Sequence, residues 1–98
     1  MAVREHCIKI APQYLNAILD GSRKAELRKN DRCYRVGEVL SLVEFEQGSC
    51  TGREWAAIIT HVLPVQDVMP AGEGWAVLSI QPCSPADAQS YRYLGGAL

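Results

Sequence analysis

The hydrophobic period of this chain changes at Gly21, and that change limits the folds open to it. Before Gly21, Pro12 suits the first turn of a helix, and Tyr14, Leu15, Ile18 and Leu19 recur at helical spacing. Asp20-Gly21 then supplies a left-handed stop. One helix is predicted over residues 12–20, with its apolar stripe in the core. After Gly21 the period becomes two: Lys24, Glu26 and Arg28 fall on one face, Ala25 and Leu27 on the other. Such a strand would roof a cleft or turn its charges to water.

The remaining segments keep strand character. His6–Ile10 places Ile8 and Ile10 on one side, Val39–Phe45 is rich in strand formers, and Trp55–Leu63 and Trp75–Ile80 are apolar runs. Turns are expected at Lys29-Asn30-Asp31-Arg32, at Val36-Gly37-Glu38 and at Gln47–Gly52, with a loop at residues 65–74. The order is β-α-β-β-β-β, and the strands read as too closely spaced for parallel crossovers. An α+β, mainly β class follows: a small, mostly antiparallel barrel or curled sheet with one main helix. At 98 residues there is room for one domain, assigned to residues 1–81. Residues 82–98 lack a clear period and read as a loosely attached extension.

Charge is unevenly spread. Six of the ten Lys and Arg residues lie between Arg23 and Arg35, against only Glu26 and Asp31, so this window is +4 in a chain whose formal total is −1. Residues 1–35 hold eight basic and four acidic side chains; residues 36–98 hold two and seven. A polarised surface with an anion-attracting side is expected, a solvated charged turn being the plainer alternative.

Other classes find little support. Cys7, Cys33, Cys50 and Cys83 form no C-x-x-C pair, so no metal site is expected, and most are read as small buried hydrophobes. With no signal-peptide core near the start and no apolar run of about 18 residues, a cytoplasmic protein with reduced thiols and no membrane contact is expected. There is no phosphate-binding glycine loop or dinucleotide fingerprint, and no cofactor is expected. His6 and His61 have no Ser or Cys nucleophile at an interpretable spacing and read as packed or surface histidines. Tyr14, Phe45, Trp55 and Trp75 read as core, which leaves Tyr34 as the one aromatic among the basic residues.

Gly21-x-Arg23-x-x-Glu26-x-Arg28 resembles the G-x-K-x-x-E-x-R signature of the ASCH domain, a β-barrel of the PUA-like superfamily associated with RNA. The chain is similar, more closely, to short uncharacterised phage and bacterial ASCH-like proteins. Their pattern of H-x-L-K-I, P-x-Y-F, G-x-K-x-x-E-x-R-K-N-D-R, V-G-D, Y-T-G-R and V-L-S-I recurs here in order. The matching segments are His6–Ile10, Pro12–Leu15, Gly21–Arg32, Val36–Glu38, Cys50–Arg53 and Val77–Ile80, which span residues 6–80. The resemblance implies a PUA-like barrel with a cleft beside the helix, lined by the charged residues of the motif.

Three functional readings follow. In the first, the cleft binds RNA or a nucleotide-like molecule. Lys24, Glu26 and Arg28 would lead, with Arg23, Lys29, Asn30, Arg32 and Arg53 as rim contacts, arginines meeting phosphates and Glu26 meeting a base edge or ribose hydroxyl. The plainer alternative is that Glu26 and Arg28 pair with each other across the sheet. The second is amide hydrolysis on a modified nucleoside, which the resemblance implies through a lysine, a threonine and a glutamate. Here Arg23 occupies the lysine position and Glu26 the threonine position, and an arginine is a poor base or nucleophile, which leaves Glu26 and Lys24 as the weak catalytic candidates. The third is a phage or host protein-interaction module, using an apolar patch near Val65–Met69 or the tail.

Overall fold

Pro12 opens a helix and Gly21 closes it in the computed structural model, which describes residues 4–89. Strand β1 (Glu5–Ile10) comes first, and extended Ala11 leads from it into helix α1 (Pro12–Asp20). Pro12 sits in the first turn, where a missing N–H removes no helical bond. Gly21 takes φ 86° and donates its N–H to the Ile18 carbonyl. Of the four residues expected in the apolar stripe, Leu15 and Ile18 reach the core, while Tyr14 and Leu19 are exposed.

Four strands follow: β2 (Ala25–Lys29), β3 (Val39–Glu46), β4 (Ser49–Pro64) and β5 (Trp75–Cys83). The predicted order of elements is present, with β4 beginning earlier and β5 ending later than the sequence suggested. Gln47 and Gly48 form the β3–β4 hairpin turn, with φ values of 51° and 84°. Two positive φ angles in succession match the right-handed twist of the flanking strands. The strands therefore pair from Glu46–Ser49 onward, and Cys50 and Thr51 belong to β4 rather than to a loop. Short 3-10 turns at Val65–Asp67 and Pro70–Gly72 occupy the predicted loop.

The five strands form one curled half-barrel sheet in the order β1-β3-β4-β5-β2. Three pairings are antiparallel, but β1 and β3 run parallel, contrary to the expectation that spacing forbade it. The connection is long because it contains both α1 and β2, and a parallel pair needs only a dozen or more connecting residues. Strand β2 crosses to the far edge of the sheet and pairs with β5, so it does not fill the place beside β1.

The core lies inside the curl. Ile8 and Ile10 of β1, Leu40 and Leu42 of β3, Ala57 and Ile59 of β4, and Leu78 and Ile80 of β5 meet Leu15 and Ile18 of the helix. Each large aliphatic side chain buried there contributes about 1.5–3 kcal/mol. A smaller cluster joins Val39, Ala56, Ile58 and Ala88. Ala88 comes from helical residues 85–89, whose first turn is capped by Ser84: its Oγ accepts from the Asp87 N–H at 3.1 Å. The expected extension thus begins with two residues of strand and a packed helical turn; residues 90–98 lie outside the described residues. Cys7, Cys33 and Cys50 are exposed and Cys83 is partly buried, all four as free thiols, which corrects their reading as buried hydrophobes. Cys7 occupies an outward position of β1, and Cys50 lies on the hairpin end, which is exposed. No helix among the described residues is long and apolar enough to cross a membrane.

Candidate functional site

The register of β2 against β5 decides which way the motif points. Glu26 stands opposite Leu78 and Arg28 opposite Ala76, and both partners are fully buried. The charged face of β2 is therefore the inner face. Leu27 lies on the outer face and is 56% exposed, so the two sides are the reverse of those expected for a strand that turns its charges to water. Burial of Glu26 is tolerable because each of its oxygens has its own cation. Oε1 accepts from Arg23 Nη2 at 2.8 Å and Oε2 from Arg28 Nε at 2.9 Å. Glu26 and Arg28 thus pair along one strand rather than across the sheet. The Arg23 guanidinium also lies over the Tyr14 ring, 4.4 Å from its centroid, which accounts for an exposed Tyr14. Its Nε is buried without a hydrogen-bond partner among the described residues.

Arg28 has a further partner. Its Nη2 donates to the Lys9 carbonyl at 2.7 Å, and Arg32 Nη1 donates to the Cys7 carbonyl at 2.7 Å. Both carbonyls belong to β1, an edge strand of the sheet. An exposed edge with unmet carbonyls invites pairing with another chain, and here two arginines from β2 and the following turn occupy it. The two edges of the half-barrel, β1 and β2, are held together by guanidinium groups where a barrel would have a strand ladder.

A groove of about 560 Å³ runs along this seam. Lys9, Arg28, Lys29 and Arg32 line it, against the single carboxylate of Asp31 among its lining residues. Trp75 and Leu27 form an apolar lip. Trp75 was expected in the core, yet it is 40% exposed, pairs with Lys29 across β2 and β5, and has the Lys29 ammonium 5.9 Å from its ring centroid. A usable signal lay in the alternation of β5: Ala76, Leu78 and Ile80 share one face, so Trp75 must share the other with polar Ser79. Tyr34 closes the inner wall of the groove. It is 6% exposed, with its ring edge-on to His6 at a centroid distance of 4.7 Å. Burial pushes its phenol above the ordinary value, opposed by the nearby charges of Arg32 and Arg28.

The other predicted residues are dispersed. Asn30 ties the turn down: its N–H donates to the Gly74 carbonyl and its Oδ1 accepts from the Tyr34 N–H. Lys24 and Arg23 border a separate depression of about 460 Å³, with Thr60, Ser79 and Gln81. Arg53 of β4 bonds to Glu44 of β3 and Asn16 of α1 and does not line the seam. Arg53, then Thr51, hold the Glu44 carboxyl below the usual carboxylate value. His6 is buried and bonded to Glu38 at 2.9 Å, while His61 is exposed. Val68 and Met69 are strongly exposed, at 67% and 58%. No cluster suited to a metal ion is present among the described residues.

Residues 5–80, from the start of β1 to Ile80 in β5, match DUF3850, described as a domain of unknown function. The chain belongs to the DUF3850 family. The matched span includes both edges of the seam and every residue of the groove. The chain is also 40% identical over 67 residues to an uncharacterized 12.9 kDa protein in the GpA 3′ region of Escherichia phage P2. That alignment covers 68% of this chain and 62% of the phage protein. The DUF3850 domain described here is thus related to an uncharacterised phage protein longer than the aligned part.

Proposed function

We propose that the seam groove binds single-stranded RNA or a nucleotide-like ligand. The observation that carries this reading is the exposed Trp75 ring beside Lys29, on the lip of a groove lined by four cationic side chains. Sequence-tolerant binding of single strands combines a cationic track for phosphates with an aromatic face for bases, and both are available along this seam. The resemblance to the RNA-associated ASCH domain is in keeping with it. Amide hydrolysis is the weaker reading, because both Glu26 oxygens already accept from arginines and Arg23 stands where that chemistry would use lysine.

The test is fluorescence anisotropy with a labelled 12-nucleotide single-stranded RNA at low and moderate salt. Micromolar binding that weakens with salt is expected, and Trp75→Ala should weaken it about tenfold, the loss of one stacked base. Absence of salt-dependent binding both of this RNA and of a free nucleoside monophosphate, or a Trp75→Ala protein that binds like wild type, overturns the reading.

A further inference from the structure

Arg28 and Arg32 do not use all their donors on Glu26 and the edge of β1. A guanidinium carries five N–H groups. Arg28 directs Nε and Nη2 to Glu26 and the Lys9 carbonyl, and Arg32 directs Nη1 to the Cys7 carbonyl. Arg28 Nη1 and the Nε and Nη2 groups of Arg32 have no partner among the described residues, and both head groups line the groove. Their orientation is fixed by two carbonyls on the same side of one strand. Tyr34 lines the same groove. Its ring is held edge-on against His6 and the residue is almost wholly buried, while its hydroxyl stays accessible and makes no hydrogen bond among the described residues. The hydroxyl is thus reachable from outside, and a phenol O–H free at the wall of a cationic groove is a donor placed for an acceptor.

We infer that Arg28, Arg32 and the Tyr34 hydroxyl form a seat for one phosphate group inside the groove, an inference that rests on the groove being the ligand site proposed above. The arginine forks supply planar paired donors, which suit the oxygens of a phosphate better than point charges do. The phenol is neutral near pH 7, as tyrosine ordinarily is and as burial favours further, so it donates rather than repels. Lys9 and Lys29 on either side attract the anion, and Trp75 on the lip takes the base attached to it. The phosphate can belong to an RNA backbone or to a free nucleotide, and the recognition chemistry is the same.

The experiment titrates wild type, Tyr34→Phe and Arg32→Lys with inorganic phosphate, uridine 5′-monophosphate and uridine, followed by NMR of the amide and arginine Nε–H signals. The labelled 12-nucleotide RNA is followed by anisotropy in parallel. Inorganic phosphate and the monophosphate, but not uridine, should move the Arg28 and Arg32 Nε–H signals. Tyr34→Phe should keep the folded spectrum and weaken the monophosphate about tenfold, as expected for a lost hydrogen bond to a charged group. Arg32→Lys keeps the charge, so weakened binding there supports a fork and undiminished binding overturns the seat. Equal affinity in Tyr34→Phe also overturns it, even where RNA still binds and the groove reading survives. Saturable binding of the monophosphate without RNA binding supports the seat and assigns it to a free nucleotide. If Tyr34→Phe does not fold, the Arg32→Lys comparison decides.

Discussion

Glu26 sits between two arginines that do different work, and its charge is what holds both. Arg23 reaches it from the turn after α1 and Arg28 from two places along the strand, each at hydrogen-bond distance. Replacing Glu26 with Gln keeps the shape but leaves two guanidinium groups facing a neutral amide. A loss of about 2–4 kcal/mol is expected in denaturant unfolding, at or just below the usual penalty for breaking a buried pair because the arginines keep some contact with water. A loss under about 1 kcal/mol would mean that Glu26 is not needed to hold the motif. Gln47 gives a smaller effect of opposite sign. With φ at 51° it occupies a region that β-hairpins reserve for Asn, Asp or Gly, ahead of Gly48. Gln47→Asn should stabilise the chain by about 0.5–1 kcal/mol, part of the penalty for a left-handed residue with a longer side chain. Unchanged or lowered stability in the same unfolding experiment would speak against strain at the turn.

At the scale of elements, Arg53 joins three of them: it is bonded to Glu44 on β3 and Asn16 on α1 from its own place on β4. Because Arg53 and Thr51 lower the Glu44 carboxyl from its ordinary 4.5, the pair adds stability above the unfolded value, and that stability is lost as pH falls through the lower folded value. The melting temperature of wild type should drop through this acidic range, and Arg53→Gln should show a smaller drop while being less stable at pH 7. Parallel curves for the two proteins would remove Glu44 as a source of the acid sensitivity. The elements themselves were legible where local chemistry marks their ends, as Pro12 and Gly21 do for α1. The parallel β1–β3 pair was not, because it depends on β2 leaving for the far edge, a choice made by long-range packing rather than by spacing. The facing of β2 was hidden for a related reason. Alternation shows that Glu26 and Leu27 lie on opposite sides, but only the salt bridges with Arg23 and Arg28 make the charged side the inner one. The candidate site was legible in its arginines; for Trp75 only the alternation of β5 gave a signal, and nothing in the sequence joined Lys9 of β1 to the basic stretch, because the seam depends on the two sheet edges meeting.

Across the whole molecule, the charge asymmetry of the sequence becomes a different and more local asymmetry in the fold. Glu38 and Glu44, two of the seven acidic residues after Val36, are buried and bonded to His6 and to Arg53. In the basic window, Arg23 and Arg28 share the single negative charge of Glu26, which leaves the trio at +1. The cations that can meet an external anion at the seam are Lys9, Lys29, Arg32 and the unused donors of Arg28, drawn from two distant stretches of chain that the sheet brings together. Each bound phosphate releases counterions, so binding of a single strand should fall with salt at a logarithmic slope of about 0.7 per contact. Lys9→Ala and Lys29→Ala remove exposed side chains whose only described contacts are with the rings of Phe45 and Trp75, so both should fold. In anisotropy with the 12-nucleotide RNA, each should flatten the slope by about 0.7 and the double variant by about twice that. Arg35→Ala, which removes an equal charge outside the groove, should leave the slope near that of wild type. If Arg35→Ala flattens the slope as much as Lys29→Ala does, the attraction belongs to the basic face as a whole and not to the seam.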